Sequence, residues 1–124
     1  MEGKGRITGH TGLLALIGSP VGHSGSPAMY NYSFEKLGLD YAYVAFDIKV
    51  EEVKAALDAM RLFHMRGCNV TMPCKTEAAK YMDELSPAAR IIGAVNTIVN
   101  EDGKLIGHMT DGEGFVGNLR DHGI

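Results

Sequence analysis

Lys75 sits oddly in its surroundings. It closes the stretch from Arg66 to Lys75, RGCNVTMPCK. There Cys68, Asn69, Val70 and Thr71 follow Gly67 as a short half-apolar run and suggest a buried strand, ended where Pro73 can donate no ladder hydrogen bond. Pro73 suits the first position of a helix, and Lys75, Thr76, Glu77, Ala78, Ala79, Lys80, Tyr81 and Met82 mostly favour one. Lys75 is therefore predicted in the first helical turn, beside the carboxyl end of a strand, where open α/β sheets bind their ligands. The positive end of the helix dipole disfavours a cation there. From these residues alone, a solvated surface lysine and a functional one stand equally open.

The stretch SPVGHSGSP, residues 19–27, places Ser24 and Ser26 at the amino end of a predicted helix, directly after a buried strand. Free N–H groups, the positive dipole end and two hydroxyls suit a carboxylate or phosphate. Capping by Ser26 alone would explain neither Ser24 nor the three surrounding glycines, so anion binding is preferred. His23 is expected to hydrogen-bond within the loop, since no second histidine stands at metal spacing. Asn96 falls in a predicted buried strand, where its amide needs partners from backbone or ligand. Asp111 either caps a last helix or faces a cation. Gly112, Gly114 and Gly117 satisfy GxGxxG, but a dinucleotide fingerprint also requires a following strand and an acid about 20 residues on. The sequence offers neither, and these glycines read as a closely packed helix start.

The elements that must position these groups alternate. Leu13 to Gly18 is a continuous apolar run, as expected of a strand buried on both faces. Ser26 and Pro27 signal a helix start, Met29, Tyr30, Phe34 and Leu37 give it an apolar stripe, and Gly38 ends it. Tyr41 to Ile48 reads as a second strand. Val50, Val53, Leu57 and Met60 mark a helix to about Phe63 that leads into the central strand and its helix. Ser86 and Pro87 open a short helix that stops at Gly93, and AVNTIVN and KLIGHMT flank NEDG as an antiparallel hairpin. The fold class is α/β, a three-layer α/β/α domain with a mainly parallel, mixed sheet of about six strands. Met29, Met60, Met65, Met72 and Met82 are assigned to core filling.

A chain of 124 residues with a net charge of -3 makes one ordinary domain without a basic footprint for nucleic acid or a polybasic membrane patch. No apolar run approaches the roughly 20 residues of a membrane span, and MEGKGRITGH lacks a signal peptide's apolar core. A cytoplasmic location is expected. Cys68 and Cys74 match neither a CxxC redox pair nor a zinc knuckle, and read as two buried or half-buried thiols.

Taken together, GSPVGHSGSPAMYN, GCNVTMPCK, GAVNT and GHMTDGEG, in this order and at these spacings, closely resemble the substrate-binding N-terminal domain of the shikimate and quinate/shikimate dehydrogenases. The resemblance runs from about Leu13 to Ile124. It implies that Ser24 and Ser26 hold the substrate carboxylate. It also implies that Thr71, Lys75, Asn96 and Asp111 carry the ring hydroxyls, with Lys75 and Asp111 as catalytic groups flanking the hydroxyl that is oxidised. Two positions depart from the pattern: the family usually has histidine at Tyr30 and asparagine at Met109.

The implied reaction reduces 3-dehydroshikimate to shikimate, and dehydroquinate to quinate as a further pair, in aromatic amino acid biosynthesis. The implied cofactor, NADP or NAD, is bound by a C-terminal Rossmann domain that this chain does not contain. The chain alone is expected to bind substrate weakly, to turn nothing over, and to self-associate through surface that the second domain would cover. A shikimate- or quinate-sensing domain of a regulator is the alternative from another class, disfavoured because a sensor needs the carboxylate grip but not Lys75 and Asp111.

Overall fold

The structure, a computed structural model, describes residues 5–110. The helix, the GxGxxG run and the Asp111 cap expected beyond Thr110 lie outside the described residues. Strands β1 (Gly12–Gly18), β2 (Tyr41–Asp47), β3 (Gly67–Val70), β4 (Glu84–Leu85), β5 (Thr97–Glu101) and β6 (Lys104–His108) alternate with helices α1 (Ser26–Leu37), α2 (Val53–Leu62), α3 (Lys75–Ala79) and α4 (Pro87–Ile92). They form one six-stranded sheet in the order β2-β1-β3-β5-β6-β4. β1 pairs in parallel with β2 and β3, and β4 with β6, while β5 runs antiparallel to both its neighbours. The mixed sheet of about six strands is thus observed, and β4, two residues long, is the strand that the sequence pattern did not announce.

β1 is buried on both faces, as its unbroken apolar run required. Leu14 and Leu16 face α1 and pack with Phe34 and Tyr43. Ala15 and Ile17 face the other way, into a cluster with Val53, Leu57 and Met60 of α2, Cys68 and Val70 of β3, Ala78 of α3 and Ala89 of α4. Fully burying each such aliphatic side chain contributes about 1.5–3 kcal/mol, so the sheet is held between helices on both faces.

The terminal signals divide. Ser86 caps α4 by accepting the Ala89 N–H at 3.2 Å, and Gly93 ends it in the left-handed region at φ 77°. Gly38 ends α1 likewise at φ 67°. At the start of α1, however, Ser26 makes no capping bond and Gly25 is the cap residue. The Ser26 N–H instead donates to the Ser24 hydroxyl at 3.1 Å. Pro73 is not a first helical residue either: it lies in the turn before α3, whose cap is Cys74, and the Met72–Pro73 peptide is cis. The predicted helix from Val50 begins as a 3-10 turn, Val50–Glu52, because the Glu52 carboxylate accepts the Lys49 N–H at 2.8 Å and tightens the entry.

The methionines fill the core less fully than their type predicts. Met60 and Met65 are buried, whereas Met29, Met72 and the stripe residue Leu37 are exposed. Only Phe34 of the α1 stripe is fully inside. Both cysteines are free and buried, and burial pushes the Cys68 thiol up to about 12, which keeps it protonated and unreactive in the folded chain.

Candidate functional site at the carboxyl end of the sheet

The predicted site residues converge on one end of the sheet because of topology. Ser24 and Ser26 follow the carboxyl end of β1, and Thr71 and Lys75 follow that of β3. Asn96 precedes β5, whose antiparallel course brings its start to the same end. Thr110 follows β6 there as well. From β1 to β6 is three strand spacings, about 14 Å, the scale of a small polar ligand with its contacts.

Main-chain bonds tie these segments to one another. The Thr71 N–H donates to the Ile17 carbonyl at 2.9 Å, and the Ser19 N–H to the Met72 carbonyl at 3.0 Å, so the turns after β1 and β3 form one platform. The Val70 N–H donates to the Asn96 carbonyl at 2.9 Å, and the Val95 N–H to the Lys75 carbonyl at 3.1 Å. The Lys75 main chain is thereby fixed to the segment that carries Asn96. Its side chain is half-buried at the first position of α3, and it forms no ion pair among the described residues. Asp111, its expected neighbour, lies outside them.

Asn96 is not within a strand; it occupies the bend before β5 and is half-buried. Its Oδ1 accepts from the Thr110 N–H at 2.9 Å and the Thr110 hydroxyl at 3.2 Å, and its Nδ2 donates to the Thr110 carbonyl. The carboxamide clamps both main-chain groups of the residue next to Asp111, and its second N–H has no acceptor among the described residues. Both alternatives left open for this amide are therefore compatible: backbone takes most of it, and one donor remains. His23 makes no hydrogen bond among the described residues and is exposed, contrary to the expected loop bond. Tyr30, where the family usually has histidine, stacks on Tyr43 at 4.7 Å between ring centroids. Met109 packs against the apolar cluster beneath α2 and α3.

Two residues that the sequence reading missed join these segments. Tyr43 is 1% exposed, and its hydroxyl donates to Asn69 Oδ1 at 2.9 Å. Burial, reinforced by Tyr30 and Cys68, pushes this phenol well above its ordinary value, while the Ser26 side chain acts weakly in the opposite direction. It stays a neutral donor. Asn69 Nδ2 in turn reaches the Asn96 carbonyl and the Thr97 hydroxyl, each at 3.4 Å, and Thr97 donates to Asn96 Oδ1 at 3.1 Å. A polar chain therefore crosses the end of the sheet from Tyr43 to Thr110. An asparagine within a buried run was its one visible sign, because a buried amide must be satisfied.

Fold and site define an open α/β domain whose polar residues gather where parallel strands end. A profile of the shikimate dehydrogenase substrate binding domain matches residues 16–98, and the chain belongs to that family. The shikimate dehydrogenase (NADP(+)) of Listeria monocytogenes is 53% identical over 118 residues, covering 95% of this chain and 40% of the relative. The crystal structure of shikimate 5-dehydrogenase from Listeria monocytogenes in complex with shikimate and NAD matches with a TM-score of 0.85 at 53% identity, over 96% of this chain and 41% of that one. Ligand-free 5-ketofructose reductase of Gluconobacter sp. strain CHM43 matches with a TM-score of 0.82 at 31% identity, over 92% of this chain and 41% of that one. The chain thus spans about two fifths of the length of these relatives.

Proposed function

We propose that the chain is the substrate-binding part of a longer cytoplasmic dehydrogenase that interconverts 3-dehydroshikimate and shikimate with NADP or NAD. The observation that supports it most is the meeting of Ser24, Ser26, Thr71, Lys75 and Asn96 at one end of the sheet on hydrogen-bonded segments. Ser24 and Ser26 hold the carboxylate at the start of α1, while Thr71 and the remaining N–H of Asn96 take ring hydroxyls. Lys75, with Asp111, flanks the hydroxyl that is oxidised. Removing hydride from an alcohol carbon requires a proton to leave the oxygen, and a lysine ammonium or amine beside a carboxylate can hold that oxygen and take or relay the proton. The nicotinamide cofactor, when bound, supplies or accepts the hydride.

The described residues do not fit a dinucleotide. The turn after β1 carries Pro20 and Pro27, Pro27 has no N–H to offer at the helix start, and the Ser26 N–H is taken by Ser24. The cofactor is accordingly assigned to a Rossmann domain in the rest of the longer protein, and the chain alone to weak binding without turnover. No described helix is long and apolar enough to cross a membrane, and neither a nucleic acid nor a membrane partner is proposed. Exposed Phe63, Ile91 and Ile92 are apolar surface through which the chain alone would self-associate. The sensor alternative gains no support from these relatives, which carry enzyme names.

The test is to read the gene beyond Ile124, express the longer protein and follow NADP(+) and NAD(+) reduction with shikimate and with quinate, and NADPH oxidation with 3-dehydroshikimate and 5-ketofructose. Shikimate and 3-dehydroshikimate are expected to give the highest kcat/KM. Turnover of 5-ketofructose with none of shikimate would overturn the reading, since that sugar has no carboxylate for Ser24 and Ser26.

A further inference from the structure

An edge strand presents main-chain groups that need partners. β2 is an edge of this sheet, yet at Tyr43 its outward groups are taken by one side chain. The Tyr43 N–H donates to Asn31 Oδ1 at 2.9 Å, and Asn31 Nδ2 donates to the Tyr43 carbonyl at 2.8 Å. The Asn31 carboxamide stands where the peptide of a further strand would be. Asparagine and glutamine are the side chains that offer a neutral donor and acceptor side by side in this way. The Arg6 guanidinium takes the neighbouring outward carbonyl, that of Tyr41, and reaches Asn31 Oδ1 at 3.4 Å.

Tyr30 and Asn31 both engage Tyr43, about one turn along α1 from Ser26 at its start. Asn31 holds its main chain at two points and Tyr30 stacks on its ring. The Tyr43 hydroxyl is the link to Asn69 and so to Asn96. We propose that Asn31 is a positioning residue for the anion grip: by locking Tyr43 to α1 at two points, it sets the height at which Ser24 and Ser26 stand above the carboxyl end of the sheet. The proposal rests on the reading that these serines hold a carboxylate. Asn31 itself need not touch the ligand.

The test uses the isotope-labelled chain and the variants Asn31→Ala, Asn31→Asp, Tyr43→Phe and the Asn31→Ala/Tyr43→Phe pair. Backbone amide shifts are read without ligand, then through a shikimate titration, with thermal unfolding measured alongside. In ligand-free Asn31→Ala the amides of Ser24, Ser26 and Asn69 are expected to move, and shikimate affinity to fall about tenfold. Adding Tyr43→Phe should cost little more, since both changes break one connection. Asn31→Asp keeps the size but turns an oxygen on the Tyr43 carbonyl, and is expected to behave like alanine. A merely structural Asn31 would lower the unfolding temperature, confine the shifts to Ala42, Tyr43 and Val44, leave Ser24 and Ser26 in place and leave affinity unchanged; that result overturns the proposal. If Asn31→Ala does not fold, Asn31→Asp and Tyr43→Phe carry the same comparison. Should unmodified chain bind no shikimate, the functional reading fails there, while the ligand-free shifts still decide the positioning role.

Discussion

Lys75→Met in the longer enzyme is expected to lower kcat by about 10²- to 10⁴-fold, the usual contribution of a positioned proton-handling group, with little change in unfolding temperature. Both halves follow from the placement of Lys75. Its structural duty is carried by main chain, since the bond from Val95 goes to the Lys75 carbonyl, and methionine preserves the half-buried stem. What methionine lacks is the nitrogen at the strand end. Lys75→Arg separates two ways in which that nitrogen could act. Arginine keeps a cation but does not give up its proton, so recovery of most activity would show an electrostatic role, and failure to recover would show proton handling. Near-normal turnover in Lys75→Met, measured by steady-state kinetics with shikimate and NADP(+), would remove Lys75 from the chemistry.

Gly18→Ala is the substitution expected to cost most stability. Gly18 ends β1 at φ +152°, and a Cβ there would lie 2.3 Å from Thr71 Cγ2, 2.9 Å from the Met72 carbonyl oxygen and 3.1 Å from that of Thr71. A β-branched side chain has little freedom to withdraw, and two of these neighbours are backbone. The turns after β1 and β3 would have to separate, stretching the Ser19–Met72 bond that joins them. We expect a loss of roughly 2–4 kcal/mol in urea unfolding, together with loss of ligand-induced shifts in whatever remains folded. Thr71→Ser, which removes the clashing methyl, should return part of the stability when combined with Gly18→Ala. An unchanged midpoint would mean that the two turns are not packed as described.

These contacts also mark what a sequence can and cannot show. Features within one turn of chain were legible: Ser86 and Pro87 opening α4, Gly38 and Gly93 closing helices at positive φ, and the unbroken apolar run of β1 buried on both faces. Each depends on neighbours a few residues away. Ser26 matches a helix cap by type, but Gly25 is the cap residue of α1 and the Ser26 N–H goes to the Ser24 hydroxyl within the loop. The clamp of Asn31 on Tyr43 and the link from Tyr43 to Asn69 are invisible in the sequence because a hydrogen bond between distant residues leaves no period. Met72 is exposed because residue type alone gives no face, and Met29 because the core takes only Phe34 of the wider apolar stripe on α1. β4 is only two residues long, too short for any alternation to show. That Lys75, Thr71, Asn96 and the two serines come to one end of the sheet was legible from four motifs in order, whereas periodicity alone shows only the strands and helices next to which they lie.

The most direct measurement is a titration of shikimate into the isotope-labelled chain, followed by backbone amide shifts. The central claim is that a carboxylate-bearing ligand sits at the carboxyl ends of β1 and β3. It predicts saturable shifts clustered at Ser24, Ser26, Thr71, Lys75 and Asn96, and none in the small polar cavity of about 150 Å³ at the opposite end of the sheet, lined by His64, Arg66, Asn100 and Asp102. Saturable shifts confined to that cavity, with the serines and Lys75 unmoved, would contradict it.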